Sequence, residues 1–132
     1  MAEEKNLKIL LKTMNPRLNE GEYVYCTVQK IPQVDMDQIL FVFKEQEGFT
    51  LVLNKKVADE LYLNYSFVAS WITLTVHSSL KAIGLTAAFS KALTANNISC
   101  NVVAGYYHDH LFVEIKDAQK AMVTLKKFSE EQ

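Results

Sequence analysis

The sequence predicts an α+β fold of ferredoxin-like type, whose second half runs strand, helix, strand, strand, helix. Two kinds of segment predict it: short apolar runs rich in β-branched and aromatic residues, and longer segments whose apolar residues recur every three or four positions. The chain has 132 residues, of which 49% are hydrophobic and 22% are charged. Such a chain can bury one ordinary core, or fold as two very small domains that share one.

The first half of the chain predicts two short helices and three strands. A stretch with apolar residues at helical spacing ends before Pro16, which disfavours helical geometry in the residue preceding it. Glu45-Gln46-Glu47-Gly48 is a polar connection between two apolar runs and indicates a hairpin, and Asn54 has a side chain suited to cap a helix. We expect helices at 7–14 and 55–61, and strands at 22–29, 39–44 and 49–53.

The second half predicts a central strand, a long helix, a hairpin and a last helix. The run 67–76 is apolar on both faces, which is typical of a strand in the middle of a sheet. Asn96 and Asn97 supply a left-handed stop for the long helix, and Asp117 can cap the last one. We expect strands at 67–76, 98–104 and 110–115, and helices at 82–96 and from residue 118 onward.

The order of elements is repeated within the chain. Residues 39–61 and 98–125 both run strand, polar turn, strand, cap and helix. The helix that links the strands at 67–76 and 98–104 requires a right-handed crossover. We therefore expect two intertwined units, residues 1–65 and 66–132, each with an antiparallel sheet and its helices on one face.

Charge and composition exclude several classes of partner. The 14 basic and 15 acidic residues give a net charge of -1, so the chain has no general attraction to phosphate backbones or anionic membranes. No apolar run approaches the roughly 18 residues that a membrane helix requires. Cys26 and Cys100 lie far apart in apolar runs, which favours reduced, buried thiols. We expect a cytoplasmic protein that binds neither nucleic acid nor membrane.

Candidate catalytic and metal sites are weak. His108-Asp109-His110 with His77 could ligate a metal ion, yet ordinary turn and hydrogen-bonding roles fit better because no thiolate or helix-borne fourth ligand accompanies them. No serine or cysteine lies in a nucleophile motif, and the four glycines are scattered. Tyr106-Tyr107 could stack on a ligand, although packing is the simpler role. The sequence predicts no catalytic residue, no metal and no cofactor.

The segment after the central strand favours a small ligand. A polar turn leads to a helix start at Ile83-Gly84-Leu85-Thr86, where free backbone N–H groups suit a carboxylate. Asn101 on the neighbouring strand and Asp109 in the following turn could receive an amine. This combination fits a zwitterionic amino acid.

Two segments resemble the ACT domain family, in particular its small stand-alone bacterial members. They read WITLTVHSSLKAIGLT at 71–86 and ISCNVVAGYYHDHLFV at 98–113, and the N-terminal half resembles a companion ACT-like unit. The relatives include the regulatory domains of aspartate kinase and arginine-sensing ACT proteins. The resemblance implies two ACT-like βαββαβ units, pairing of units side by side into a continuous sheet, and amino-acid binding at an interface between units without catalysis.

The resemblance also implies a set of binding residues. The ligand's backbone atoms would be bound by the loop and helix start and by the adjacent strand, at Ser79, Leu80, Ile83, Gly84, Leu85, Thr86, Asn101 and Val102. Asp109 resembles the acidic position that follows the hairpin turn in arginine-sensing relatives. His77-Ser78-Ser79-Leu80 departs from aspartate-kinase loops, which carry an acidic residue and a proline or glycine there. The sequence therefore leaves the identity of the ligand open.

The sequence as a whole predicts a stand-alone regulatory module and not an enzyme. It would bind a small metabolite, in particular an amino acid, and form a homodimer or homotetramer by pairing sheets. One alternative is a protein-interaction adaptor without a small ligand, whose sheet edges or helices dock a partner enzyme. Another is an enzyme that uses the histidines of the 108–110 turn.

Overall fold

The computed structural model describes residues 6–76 and 83–130. Helices and strands in this part of the chain are, in order, α1 (Leu7–Thr13), β1 (Asn15–Leu18), β2 (Tyr23–Val28), β3 (Ile39–Lys44), β4 (Phe49–Asn54), α2 (Lys55–Glu60), β5 (Tyr65–Thr75), α3 (Leu85–Ala95), β6 (Cys100–Ala104), β7 (Asp109–Glu114) and α4 (Ala118–Glu130). Single-turn 3-10 helices at Met36–Gln38 and Ile115–Asp117 precede β3 and α4.

The chain divides into two compact units. Glu20–Ser70 is called the inner unit because in the sequence it lies between the two segments of the other, the outer unit, which are Met1–Asn19 and Trp71–Gln132. The predicted assignment of residues 1–65 and 66–132 to two related units stays a prediction.

The inner unit is an antiparallel sheet with strand order β3-β4-β2-β5. Strand β2 pairs with β4 from Tyr23↔Asn54 to Val28↔Phe49, and with the first half of β5 from Tyr23↔Ala69 to Cys26↔Tyr65. Its buried core consists of Val24, Cys26, Leu51, Leu53 and Ala58. The predicted hairpin of β3 and β4 is confirmed.

Local chemistry sets the ends of α2 and of the hairpin in the inner unit. The Asn54 side chain accepts a hydrogen bond from the Lys56 backbone N–H at 2.8 Å, which confirms the predicted cap. At the hairpin turn Gly48 has φ +151°, and a Cβ there would lie 2.7 Å from the Val28 carbonyl oxygen. Only glycine fits that position without a shift of the backbone.

The outer unit has the split crossover of a ferredoxin-like fold. Strand β7 lies between β5 and β6, which are joined through α3, and β1 pairs with the second half of β5 from Asn15↔Thr75 to Leu18↔Ile72. The hairpin of β6 and β7 runs from Cys100↔Val113 to Ala104↔Asp109. The predicted α+β, ferredoxin-like class is confirmed.

Helices α1, α3 and α4 of the outer unit bury their apolar residues against one face of its sheet. The strands contribute alternate residues to this face, as the two-residue period of a strand requires. The cluster contains Leu10, Met14, Ile72, Leu74, Val76, Leu85, Phe89, Leu93, Ile98, Leu111, Val113, Ala121, Met122 and Leu125.

Several predicted boundaries need correction. Strand β1 was not predicted, because Pro16 lies within it and has no N–H to donate to a sheet. Asp117 does not cap the last helix as predicted, because it belongs to the 3-10 turn that precedes α4. The left-handed stop is confirmed at Asn97, where φ is +61°. Helix α3 starts at Leu85, and residues 77–82, including Ser79 and Leu80 of the predicted site, lie outside the described residues.

Candidate functional site

The start of α3 carries the first group of predicted binding residues. Gly84 precedes the helix with φ +94°, and no side chain caps the helix by a hydrogen bond within the described part of the chain. Ile83 and Thr86 are exposed, whereas Leu85 is buried in the outer unit's core. A helix of this length has unpaired N–H groups in its first turn and a partial positive charge there, so the backbone favours an anion.

Leu7 of α1 packs directly against this helix start. A Cβ built on Gly84 would lie 3.2 Å from Leu7 Cδ2, so the side chain of Leu7 occupies the space beside the glycine. No local sequence pattern indicates this contact, because the two residues are far apart in the chain. Leu7 is therefore a neighbour of the candidate site that the sequence did not predict.

Asn101 and Val102 lie on opposite faces of β6. Val102 packs against the core cluster of the outer unit, on the side of the helices, whereas Asn101 is exposed. Neighbouring residues of a strand point to opposite faces, so one ligand cannot contact both side chains on the same face. Asn101 can offer its amide, while Val102 can offer only backbone groups.

Asp109 begins β7 and pairs with Ala104, the last residue of β6. Its side chain is half-buried and forms no ion pair among residues 6–76 and 83–130. Burial raises the pKa of the Asp109 carboxyl, and the neighbouring His108 lowers it. A half-buried carboxylate of this kind gains from an external cation or hydrogen-bond donor.

The predicted residues form two groups. Ile83, Gly84, Leu85 and Thr86 are contiguous at the start of α3, whereas Asn101, Val102 and Asp109 belong to the β6–β7 hairpin. Within the described residues no hydrogen bond links the hairpin group to the helix group. The structure thus supplies an anion-favouring helix start and a separate carboxylate on one compact unit.

A polar network lies on the sheet face of the outer unit opposite the core. The Trp71 Nε1–H donates to His110 Nδ1 at 3.0 Å, and Thr73 Oγ1 lies 3.4 Å from the same nitrogen. Asn19 Nδ2 donates to Thr73 Oγ1 at 2.9 Å. The sequence placed Trp71 only within the apolar run 67–76, since partners 39 positions apart give no local signal.

The histidines of the 108–110 segment do not assemble a metal site. The rings of His108 and His110 are nearly perpendicular with centroids 6.2 Å apart, and His110 Nδ1 already accepts the Trp71 bond. Burial lowers the pKa of His110, as does the nearby His108. No cluster of three or more potential ligands occurs in the described ranges, which omit 77–82 and so omit His77.

The inner unit contains a separate, open cavity of about 530 Å³. Its lining is Glu20, Gly21, Glu22, Asn54, Lys55 and Lys56. The Lys55 ammonium is paired with Asp59 at 3.2 Å, and Asp59 also accepts the hydroxyl of Tyr65 at 2.8 Å. Of the predicted site residues that the structure describes, none lines this cavity.

Neither cysteine has the environment of a nucleophile. Cys26 is buried in the inner unit's core and Cys100 is half-buried, and burial raises the pKa of both thiols. Thiols with raised pKa values stay protonated near neutral pH and react slowly. Among the helices that the structure describes, none is long and apolar enough to cross a bilayer.

The ferredoxin-like units place the chain in a class of α+β proteins built from small sheet-and-helix modules. Models of the ACT domain match residues 2–70 and 66–127, so together they span nearly the whole sequence. The chain belongs to the ACT domain family and is a regulatory module of the ACT type. No curated protein matches it.

Solved structures show the same fold. A Vibrio cholerae protein of unknown function, described as a possible transport protein, is 46% identical with a TM-score of 0.83 over 93% of this chain and 95% of that one. An Agrobacterium tumefaciens protein is 16% identical with a TM-score of 0.67, covering 88% of this chain and 89% of the other. The ligand-free regulatory subunit of aspartate kinase from Thermus thermophilus is 8% identical with a TM-score of 0.63, covering 89% and 97%. At 16% and 8% identity the likeness concerns the fold alone.

Proposed function

We propose that this ACT protein binds an amino acid at an interface between ACT units, formed when copies of the chain pair their sheets into a homodimer or homotetramer. The helix start at 83–86 receives the carboxylate, and Asp109 receives the ammonium group. Ser79 and Leu80 complete the loop by resemblance, and Asn101 and Val102 contribute from β6. The protein acts as a cytoplasmic sensor for a separate partner, with no catalytic step of its own.

The observation that carries this proposal is the state of Asp109. Its carboxylate is half-buried, its pKa is raised by burial although His108 lowers it, and it forms no ion pair in the described part of the chain. Holding a carboxylate in that setting opposes folding unless a charged partner arrives. An ammonium group on the ligand would supply that partner and form a charge-assisted hydrogen bond.

The start of α3 supports the other half of a zwitterion. Gly84 turns the chain into the helix with φ +94° and leaves the first-turn N–H groups without a side-chain cap. An anion at such a position typically gains about 0.3–1 kcal/mol from the helix dipole, in addition to its hydrogen bonds. The exposed Ile83 lies beside these groups and offers an apolar contact for part of the ligand.

Calorimetry with each of the twenty amino acids tests the proposal. We expect heat for one or a few of them, and Asp109→Asn should weaken their binding about 10- to 100-fold, because hydrogen bonds to charged groups contribute about 1.5–3 kcal/mol. Asp37→Asn, an exposed aspartate in the inner unit, is the matched control and should leave binding unchanged. Absence of heat for every amino acid would reject the proposal.

A protein-interaction adaptor is the second candidate, and the β6–β7 turn favours it. Tyr106 and Tyr107 are 78% and 76% exposed, with ring centroids 5.0 Å apart. Exposed tyrosines are enriched in protein interfaces. If this role is the right one, replacing both tyrosines by serine should abolish capture of a partner protein, whereas Asp109→Asn should have no effect on it.

A further inference from the structure

We propose that His110 is a positioning residue that makes ligand binding at Asp109 sensitive to pH: the neutral imidazole holds the start of β7 in place, and its protonation weakens binding. This inference rests on the proposed function, since it concerns the same site. It adds the proton as a regulatory signal, and it adds His110 as a residue that affects binding without touching the ligand.

The Trp71–His110 hydrogen bond fixes the protonation state of the ring. An indole N–H can only donate, so His110 Nδ1 must accept and carry no proton. The neutral ring therefore has its hydrogen on Nε2. Because Asn19 donates to Thr73 Oγ1, the Thr73 hydroxyl hydrogen is free to point toward the same Nδ1 atom.

The Gly105 turn and the Trp71 ring lie beside the imidazole of His110. A Cβ on Gly105 would lie 3.3 Å from His110 Nε2 and 3.0 Å from the His108 carbonyl oxygen, so the turn backbone lies close against the imidazole. The ring centroid of Trp71 is 5.8 Å away on the other strand. Protonation at Nδ1 would set two N–H donors against each other, and we infer that the strand start shifts to separate them.

The charged groups around His110 either disfavour its protonated form or are distant from it. The ring centroid of His108 lies 6.2 Å from that of His110, and this neighbour lowers the pKa of His110. Strand β5 presents Trp71 and Thr73, and β6 presents Val103, none of which titrates near neutral pH. Arg17 of β1 is the register partner of Thr73 and is exposed to solvent. Asp109 is the residue before His110 in β7, but its side chain points to the opposite face of the strand.

The sign of the effect follows from these contacts. The fold lowers the pKa of His110 below its usual value of 6.5. The neutral ring therefore persists at neutral pH and gains a proton only as pH falls through the lowered pKa. Asp109 is the residue immediately before His110, and its partner Ala104 ends β6. A shift at His110 therefore moves the backbone that carries the Asp109 carboxylate.

Tryptophan fluorescence reports the switch without any ligand. Trp71 is the single tryptophan of the chain, and a protonated imidazole in contact quenches indole emission. Titration from about pH 8 to about pH 5 should show one transition with a midpoint below that of a free histidine, which is near pH 6.5. His110→Asn, whose Oδ1 can accept the Trp71 bond but does not titrate, should remove the transition. His108→Asn should keep it, with a midpoint shifted upward.

Calorimetry at two pH values joins the switch to ligand binding. Between about pH 7.5 and about pH 5.5 the wild-type affinity for its amino acid should fall about tenfold, and that of His110→Asn should fall much less. Equal losses in both proteins, or a fluorescence transition that persists in His110→Asn, would overturn this inference and leave the proposed function intact. No heat with any amino acid at either pH would overturn the proposed function and this inference with it.

Discussion

At the residue scale, Asp109 and His110 are adjacent in sequence but point to opposite faces of β7. His110 belongs to the polar network with Trp71 and Thr73, whereas Asp109 lies at the strand start on the side that Leu111 and Val113 occupy further along. Burial shifts both groups toward their neutral forms, raising the pKa of Asp109 and lowering that of His110. Asp109 can thus contact a ligand on one face of β7, while His110 holds the start of the strand in place from the other face.

The raised pKa of Asp109 predicts a conflict between stability and function. The fold disfavours the charged form of Asp109, so the ionised carboxyl lowers the free energy of unfolding above the folded-state pKa. This loss of stability disappears as pH falls below that pKa. Asp109→Asn is permanently neutral, so it should raise the free energy of unfolding at pH 7 by about 0.5 kcal/mol after allowance for solvent screening of a half-exposed group. Urea unfolding at neutral pH measures this change.

The same variant should bind the ligand less well although it is more stable. Such an opposition is common where a binding site retains an unfavourable group for the sake of its ligand. Asp37→Asn again serves as the control, because its carboxylate is exposed. A loss of stability in Asp109→Asn would contradict the view that this carboxylate is held at a cost.

At the scale of elements, the contact between α1 and the start of α3 depends on a single glycine. Gly84 has φ +94°, a conformation that strains any other residue, and Leu7 Cδ2 would lie 3.2 Å from an added Cβ. Gly84→Ala should therefore lower the free energy of unfolding by about 1–3 kcal/mol. Denaturant unfolding gives the value directly.

Two effects cause that loss of stability: backbone strain at Gly84 and steric contact with Leu7. A second substitution separates them. In a Leu7→Ala background the steric part is relieved, so the loss caused by Gly84→Ala should be smaller, with the difference reported as a coupling energy. Ile9→Ala, on the exposed side of the same helix at 46% exposure, should leave the full loss in place. Equal losses in all three backgrounds would exclude Leu7 as the neighbour that matters.

Elements with local signals were predictable from the sequence. Asn54 and Asn97 act within their own turns, as cap and left-handed stop, and the polar connection 45–48 acts between adjacent strands. Strand β1 depends instead on pairing with β5, and Pro16 gave a contrary signal. The 3-10 turn at Ile115–Asp117 displaced the predicted cap because a single tight turn has no periodicity to read.

The candidate site was predictable only where it is continuous in sequence. The helix start at 83–86 and the turn residue Asp109 are local, and the structure places them at a helix start and a strand start, respectively. The contacts of Leu7 with Gly84 and of Trp71 with His110 are between distant parts of the chain. The binding roles of residues 83–86 and of Asp109 stay predictions until a ligand is observed.

At the scale of the whole molecule, ACT membership makes this chain a regulatory module with two family matches along its length. The amino-acid sensor that we propose requires assembly for binding, because the proposed site lies at an interface between units. A ligand that binds only the folded assembly stabilises it by mass action, by about 2.7 kcal/mol at a free concentration one hundred times the dissociation constant. We therefore expect the ligand on the assembly and not on a monomer.

Native mass spectrometry of the purified protein tests that requirement most directly. After incubation with a mixture of the twenty amino acids, we predict a dimer or tetramer that carries additional mass equal to one amino acid per site. Asp109→Asn should give the same assembly with little or no added mass. A bare monomer, or an assembly without added mass for the wild-type chain, would contradict the proposal that this ACT protein senses an amino acid.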